Sequence, residues 1–201
     1  VEVRYSHGSR LVPRVTLMRD GSHKGKVVMR VGHDDGGAHC EGGCYVITGG
    51  LGGLGLVSAE VLLRGGANPV VLVSRSGAIS DKSQGLRRRL DALREEFGGR
   101  LLIVKCDVGE EEQVKAMLAS VREQAGQSIR GILHCAGVLR DSLARQTTRE
   151  DVEAVMRSKA HGALYLHRHT MGDRLEHFIM FSSVSALFGK GLGSTYSAAN
   201  S

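Results

Sequence analysis

The stretch CYVITGGLGGLGLVSAEVLLRGGANPVVLVSR, from Cys44 to Arg75, constrains this chain more than any other. Tyr45-Val46-Ile47 is a short apolar run rich in β-branched residues, which suits a strand buried on both faces. The glycine turn TGGLGGLG follows at once, from Thr48 to Gly55. A helix is expected from Leu56 to Arg64, closed by Gly65-Gly66, and Val70-Val71-Leu72-Val73 reads as a second strand. A pyrophosphate must come within hydrogen-bonding distance of backbone N–H groups at a helix N-terminus, and a Cβ in the way blocks it. Glycines at 49, 50, 52, 53 and 55 clear that approach, with Leu51 and Leu54 between them. A glycine string alone is weak evidence; between a strand and a helix of one βαβ unit it points to a dinucleotide.

The second strand ends in Ser74-Arg75. An acidic residue here would hold the ribose hydroxyls of NAD, whereas an arginine suits the extra 2′-phosphate of NADP. The competing reading is an ordinary solvated arginine. The cofactor expected is therefore NADPH.

The remaining chain repeats the alternation. Leu86, Leu90, Leu93 and Phe97 recur at helical spacing, and Leu101-Leu102-Ile103-Val104 is a third strand ending in Cys106-Asp107-Val108. Glu110 to Gln124 reads as a helix with Val114, Leu118 and Val121 facing inward and three acids favouring its first turn. Gly131 to Gly137 is a fourth strand with its exit turn. Thr147 with Glu150 forms a capping box for a long helix reaching about His169, and Phe178-Ile179-Met180-Phe181 is the fifth strand. Five strand–helix alternations predict an α/β fold: a Rossmann-type, doubly wound parallel sheet with its ligand crevice at the carboxyl ends of the strands. Residues 1–31 have a different texture, with short alternating runs, and GHDDGGAHCEGG over 32–43 reads as a linker. The expected division is a small β-rich remnant plus linker over 1–42 and a cofactor-binding domain over 43–201.

Composition narrows the functional classes. The 201 residues are 41% hydrophobic and 24% charged, ordinary for a globular chain, while aromatics are 4% with no Trp, so the core must be Val, Leu, Ile and Ala. The net charge of +6 is scattered apart from Arg87-Arg88-Arg89, without the basic, aromatic-interleaved stripe of a nucleic-acid binder. No apolar run is long enough to span a membrane and no leader pattern is present, so a cytoplasmic chain without disulfides is expected. Cys44, Cys106 and Cys135 sit in or beside apolar strands, where cysteine behaves as a small hydrophobe. Nine histidines show no ligand spacing, so no metal is expected, and His134 reads as a core residue. The chain opens on Val1 and stops after YSAANS, which reads as a stretch of a longer polypeptide.

Three segments converge on the sheet edge: Phe181-Ser182-Ser183-Val184, Thr195 to Asn200, and Arg157-Ser158-Lys159. Hydride transfer to a ketone turns its carbonyl oxygen into an alkoxide, which must be stabilised and protonated. A tyrosine can donate that proton, helped by a nearby lysine cation. A serine hydroxyl can hold the carbonyl, and an asparagine amide can anchor a water chain that resupplies the proton. Singly, each of these residues is more often a buried Tyr, a turn Ser or a surface Lys.

Together ITGGLGGLG, VLVSRSG, CDV, HCAGVLRD, RSKAHGAL, FSSVSALFG and YSAAN resemble the ketoreductase domain of a modular polyketide synthase, within the short-chain dehydrogenase/reductase superfamily. The resemblance implies that Tyr196 donates the proton and that Ser183, at the usual serine spacing before it, binds the carbonyl. Ordinary members of the superfamily carry their lysine four residues after the tyrosine, where this chain has Asn200. The synthase ketoreductases take the lysine from the earlier helix, and Lys159 fits that exchange. Asp107 and Val108 would border the adenine, and Ala136 and Gly137 the nicotinamide ribose. B-type members carry Leu-Asp-Asp after the fourth strand; here Leu139-Arg140-Asp141 keeps only the last Asp. A-type members carry Trp where this chain has Phe188. Both markers lean to the B-type and its D-configured alcohol. The implied activity is NADPH-dependent reduction of a β-ketoacyl thioester held on an acyl carrier protein. A fatty acid synthase ketoreductase, a free-standing alcohol dehydrogenase and an inactive cofactor-binding scaffold remain the alternatives.

Overall fold

A computed structural model describes residues 42–79 and 84–201. The β-rich remnant expected over residues 1–31, most of the linker and Cys40 lie outside the described residues. Five parallel strands form one sheet: β1 (Cys44–Thr48), β2 (Val70–Ser74), β3 (Leu101–Lys105), β4 (Ile129–His134) and β5 (His177–Met180), in the order β3-β2-β1-β4-β5. The chain steps outward from β1 to β3, then returns to lay β4 on the other side of β1. That reversal separates the loops leaving β1 and β4 and opens a crevice between them.

The connections are helical. α1 (Gly53–Arg64) joins β1 to β2, α2 (Gln84–Phe97) joins β2 to β3, and α3 (Glu111–Ala125) joins β3 to β4. Between β4 and β5 run α4 (Arg149–Met156), a π turn (Arg157–His161) and α5 (Gly162–Thr170). After β5 come the short α6 (Ser185–Phe188) and α7 (Ser194–Ala199).

Alternation along β1 divides the core. Tyr45 and Ile47 face the layer of α1 and α2, packing with Leu56, Leu63, Leu90 and Leu93. Cys44 and Val46 face the other layer, with Val114, Leu118, Val121 and Leu166 from α3 and α5. All five β1 residues are buried, and burying each large aliphatic side chain contributes about 1.5–3 kcal/mol. Arg122 on α3 forks onto Asp173 at 2.6 and 3.1 Å and donates to the His169 carbonyl at 2.6 Å, tying α3 to the end of α5.

Three local expectations need correction. α1 begins at Gly53 rather than Leu56, so the glycine turn runs straight into the helix. The capping box is Thr148 with Asp151, one residue beyond the expected Thr147 and Glu150. Thr147 is already committed, its hydroxyl donating to the Leu143 carbonyl at 3.2 Å and lying 3.0 Å from that of Ser142. The single long helix expected to His169 is broken in register by the π turn, which buries the adjacent Ser158 and Lys159 together.

Candidate active site

The crevice is a cleft of about 670 Å³. Gly49, Leu51 and Gly52 form its floor, Ser74 and Arg75 one wall, Asp107 and Val108 a second, and Ala136 and Gly137 the third. Not all five strand exits reach it: the lining comes from those of β1 to β4, with Leu86 of α2 and Ser158 of the π turn beside them.

The glycines divide by what surrounds them. A Cβ on Gly50 would lie 2.7 Å from the Ile47 carbonyl oxygen, and one on Gly55 2.6 Å from the Gly49 oxygen, so these two let backbone pack on backbone beneath the turn. Gly49 has φ +63° and its Cβ would strike the Ala136 amide at 2.8 Å, which brings the exits of β1 and β4 together. A Cβ on Gly53 would meet nothing within 4 Å. The first turn of α1 thus offers backbone N–H groups on an open side, a cradle that fits a pyrophosphate. Leu54 is exposed on the same turn, and Thr48 is fully buried below it. Arg75 is exposed at the rim and makes no ion pair among the described residues, which fits an added phosphate. The site accordingly fits a nicotinamide dinucleotide, which when bound supplies the hydride.

Asp107 is held in shape by its own turn: its carboxylate accepts from Gly109 N at 3.0 Å and its amide donates to Gln113 at 2.9 Å. Lys159 is 9% exposed, and its Cδ stands 3.9 Å from where a Gly137 Cβ would be. Its side chain therefore runs along the β4 exit turn. Burial holds the Lys159 pKa below the ordinary lysine value, with Cys135 acting in the opposite direction. The ammonium makes no hydrogen bond or ion pair among the described residues. Burial also pushes the Cys135 and Cys106 thiols up to about 11 and Cys44 to about 12, so all three are protonated near neutral pH.

The serine and tyrosine segments meet through hydrogen bonds. Ser182 donates to the Asn200 carbonyl at 2.6 Å, and the Asn200 side-chain amide donates to the Tyr196 carbonyl at 2.8 Å. α7, which carries Tyr196, also packs against α4, the helix that leads into Lys159. Ser183 Oγ accepts from the Ser185 amide at 3.2 Å and from the Ser185 hydroxyl at 2.8 Å. With its oxygen so occupied, its own proton is left for an outside acceptor. Asn200 Oδ1 is buried without a partner among the described residues, an acceptor free to take a donor such as water or an ammonium. Asp141 pairs with Lys190 at 2.5 Å, while Phe188 is 65% exposed on α6.

Sequence reasoning did not find Ser185, Lys190 or the bonds of His134. FSSVS offered three serines without ranking the third, and nothing in the sequence links position 141 to position 190.

The match that decides the family is to the KR domain, over residues 43–201. The chain belongs to the KR domain family. Among curated relatives, the KR domain is 36% identical over 157 residues to the highly reducing polyketide synthase sdnO of Sordaria araneosa, covering 78% of this chain and 5% of that protein. It is 34% identical over 197 residues to the mycocerosic acid synthase-like polyketide synthase of Mycobacterium tuberculosis, covering 93% of this chain and 9% of that one. The chain thus spans less than a tenth of these relatives. Among solved structures, a ketoreductase domain from the bacillaene assembly line superposes with TM-score 0.71 at 32% identity, covering 80% of this chain and 37% of that one. An A-type ketoreductase from a modular polyketide synthase gives 0.70 at 35% identity, covering 84% and 34%. The Rossmann-type sheet is that of short-chain dehydrogenase/reductases, and the chain is a ketoreductase domain of the polyketide synthase kind.

Proposed function

We propose that this KR domain uses NADPH to reduce the β-keto group of an acyl thioester presented on the phosphopantetheine arm of an acyl carrier protein, as one part of a multidomain synthase in the cytoplasm. Tyr196 gives its phenolic proton to the carbonyl oxygen as hydride reaches the β-carbon. Ser183 holds that oxygen with the proton its Ser185 contacts leave free. The Lys159 cation favours the developing negative charge, and Asn200 anchors the water that returns a proton to the tyrosine. Arg75 selects NADPH by its charge at the rim of the cleft.

The observation that carries this reading is Lys159. A free-standing dehydrogenase of this superfamily would place its lysine at position 200, whereas here a buried lysine with no hydrogen bond or ion pair among the described residues arrives from the earlier helix beside Gly137. The kept Asp141 and the Phe188 in place of Trp support B-type stereochemistry and the D-alcohol. Replacing Tyr196 by Phe in the synthase polypeptide is expected to abolish NADPH oxidation with a β-ketoacyl thioester while NADPH binding persists. Turnover at the wild-type rate would remove Tyr196 from its role.

A second reading has its own support. Ile179 and Met180 on β5 and Val184, Leu187 and Phe188 beyond it are exposed apolar side chains. On that reading, an inactive cofactor-binding scaffold whose apolar face meets other parts of the synthase, the 201-residue chain binds NADPH and turns over little or not at all. Full activity of that chain would dismiss the scaffold reading.

A further inference from the structure

His134 is fully buried at the end of β4, and the reduction chemistry gives it no task. Its Nε2 lies 2.9 Å from the Lys159 carbonyl oxygen and its Nδ1 lies 2.7 Å from the Thr48 hydroxyl. We propose that His134 is a positioning residue for Lys159: its imidazole grips the backbone of the π turn that carries the lysine and ties that turn, through Thr48, to the root of the glycine loop. The inference rests on the role given to Lys159 under the proposed function.

The roles in this chain of bonds are determined by what each atom can do. A carbonyl only accepts, so Nε2 carries the proton. A neutral ring then leaves Nδ1 bare, and the Thr48 hydroxyl must donate to it. The same hydroxyl oxygen accepts from the Ala136 amide at 3.3 Å, and the Thr48 carbonyl accepts from the Cys135 amide at 3.1 Å. Burial supports the neutral ring, since it lowers the His134 pKa to about 4. Every polar atom of the imidazole is thus used, and one side chain joins three of the segments that surround the cleft.

The π turn explains why a tether is useful there. The Lys159 carbonyl already accepts from the Gly162 amide within the turn, so the imidazole is a second donor, on its other lone pair, that fixes the rotation of the turn from outside the helix. Gly162 at the end of the turn gives the imidazole room, because a Cβ there would stand 3.1 Å from His134 Cε1. A larger residue there would have to push the ring or Val108 back by a few tenths of an ångström. Rotation of the turn would carry the Lys159 side chain off the Gly137 surface, and misplacing a catalytic group by about 1 Å can cost on the order of a hundredfold in rate.

The test reads the geometry first, then the lysine, then the rate. In the wild-type chain, the ¹⁵N spectrum of His134 should show the proton on Nε2 and a bare Nδ1; a proton on Nδ1 overturns the proposal without any variant. Titration of the Lys159 ¹³Cε resonance should then give a midpoint below that of ordinary lysine. His134→Leu should move that midpoint up toward the ordinary value, and Gly162→Ala, which presses on the ring edge and on Val108, should move it the same way. His134→Gln, whose amide can donate where Nε2 does, should keep the wild-type midpoint. In the synthase polypeptide, His134→Leu should lower kcat about tenfold to a hundredfold with KM for NADPH unchanged, and His134→Gln should recover most of it. A wild-type midpoint in both folded His134→Leu and Gly162→Ala, or a Gln variant as displaced as Leu, overturns the positioning role. Lys159→Met distinguishes the two claims: wild-type kcat in that variant would sink the role given to the lysine, while the midpoints still decide the role of His134.

Discussion

The middle of this sheet and its β5 edge hold the groups proposed for function by different means. β1 and β2 lie inside the sheet, buried on both faces, and the glycine turn that leaves β1 is fixed by backbone pressed against backbone at Gly50 and Gly55. β5 is an edge strand whose last two residues, Ile179 and Met180, are exposed. The segment after β5 is fixed by polar stitches instead: Ser182 to Asn200, Asn200 to Tyr196, Lys190 to Asp141, and the Ser142 amide to the Leu192 carbonyl at 2.7 Å. The contrast matches the tasks proposed for the two regions. A cofactor cradle needs a rigid, close-fitting backbone, whereas side chains that hold a reacting carbonyl need their directions set, which hydrogen bonds do better than packing. His134 belongs to both kinds, a core residue by burial and a stitch by its bonds.

The largest expected effect tests the packing side. Ile47→Ala in β1 removes a fully buried side chain and should cost about 2–5 kcal/mol in urea unfolding, while Ile179→Ala in β5 should cost less than about 1 kcal/mol. Equal losses would erase the distinction between the middle of the sheet and its edge.

The next effect is acid sensitivity at His134. Its pKa is about 4 in the folded chain against an ordinary 6.5, so the unfolded chain takes up the proton more readily. The neutral ring's contribution is therefore fully present above about pH 6.5 and is lost as the pH falls toward 4, amounting to about 3 kcal/mol. Unfolding free energies measured across that range should show the loss in the wild type and not in His134→Gln. A wild-type stability that is flat between pH 6.5 and 4 would mean that the imidazole is not held neutral.

Arg75 lies on the rim and should matter for affinity alone. Arg75→Ala should weaken NADPH binding by roughly tenfold to a hundredfold, the worth of one charge-assisted contact, and leave NADH binding and thermal stability unchanged. Unaltered preference between the two nucleotides would make Arg75 a solvated side chain. The smallest effect is at the start of α4. Thr148→Ala should cost about 1 kcal/mol in thermal or urea unfolding by removing the cap, and Thr147→Ala less.

The parts of this fold that packing controls were legible in the sequence, and those that hydrogen bonds control were less so. Short apolar runs announced all five strands, and β1 and β2 are apolar almost throughout because both of their faces are buried. The start of α1 was missed because Gly53 and Gly55 are poor helix formers, kept within the first turn for close approach rather than for propensity. The capping box slipped by one residue because Thr147 and Thr148 each have an acid three places on, and only the tertiary bonds of Thr147 decide between them. RSKAH contains neither Gly nor Pro, so its π turn left no local mark. His134 was legible as buried, but its partners Thr48 and Lys159 lie far off in sequence, and no periodicity encodes them.

The most direct test of the account is to follow the hydride. NADPH carrying deuterium at the transferred position should be supplied to the synthase polypeptide with a β-ketoacyl thioester, and the product examined by mass and configuration. The account predicts one deuterium on the β-carbon of a D-configured hydroxyacyl thioester. A β-hydroxy product without deuterium on that carbon would contradict it.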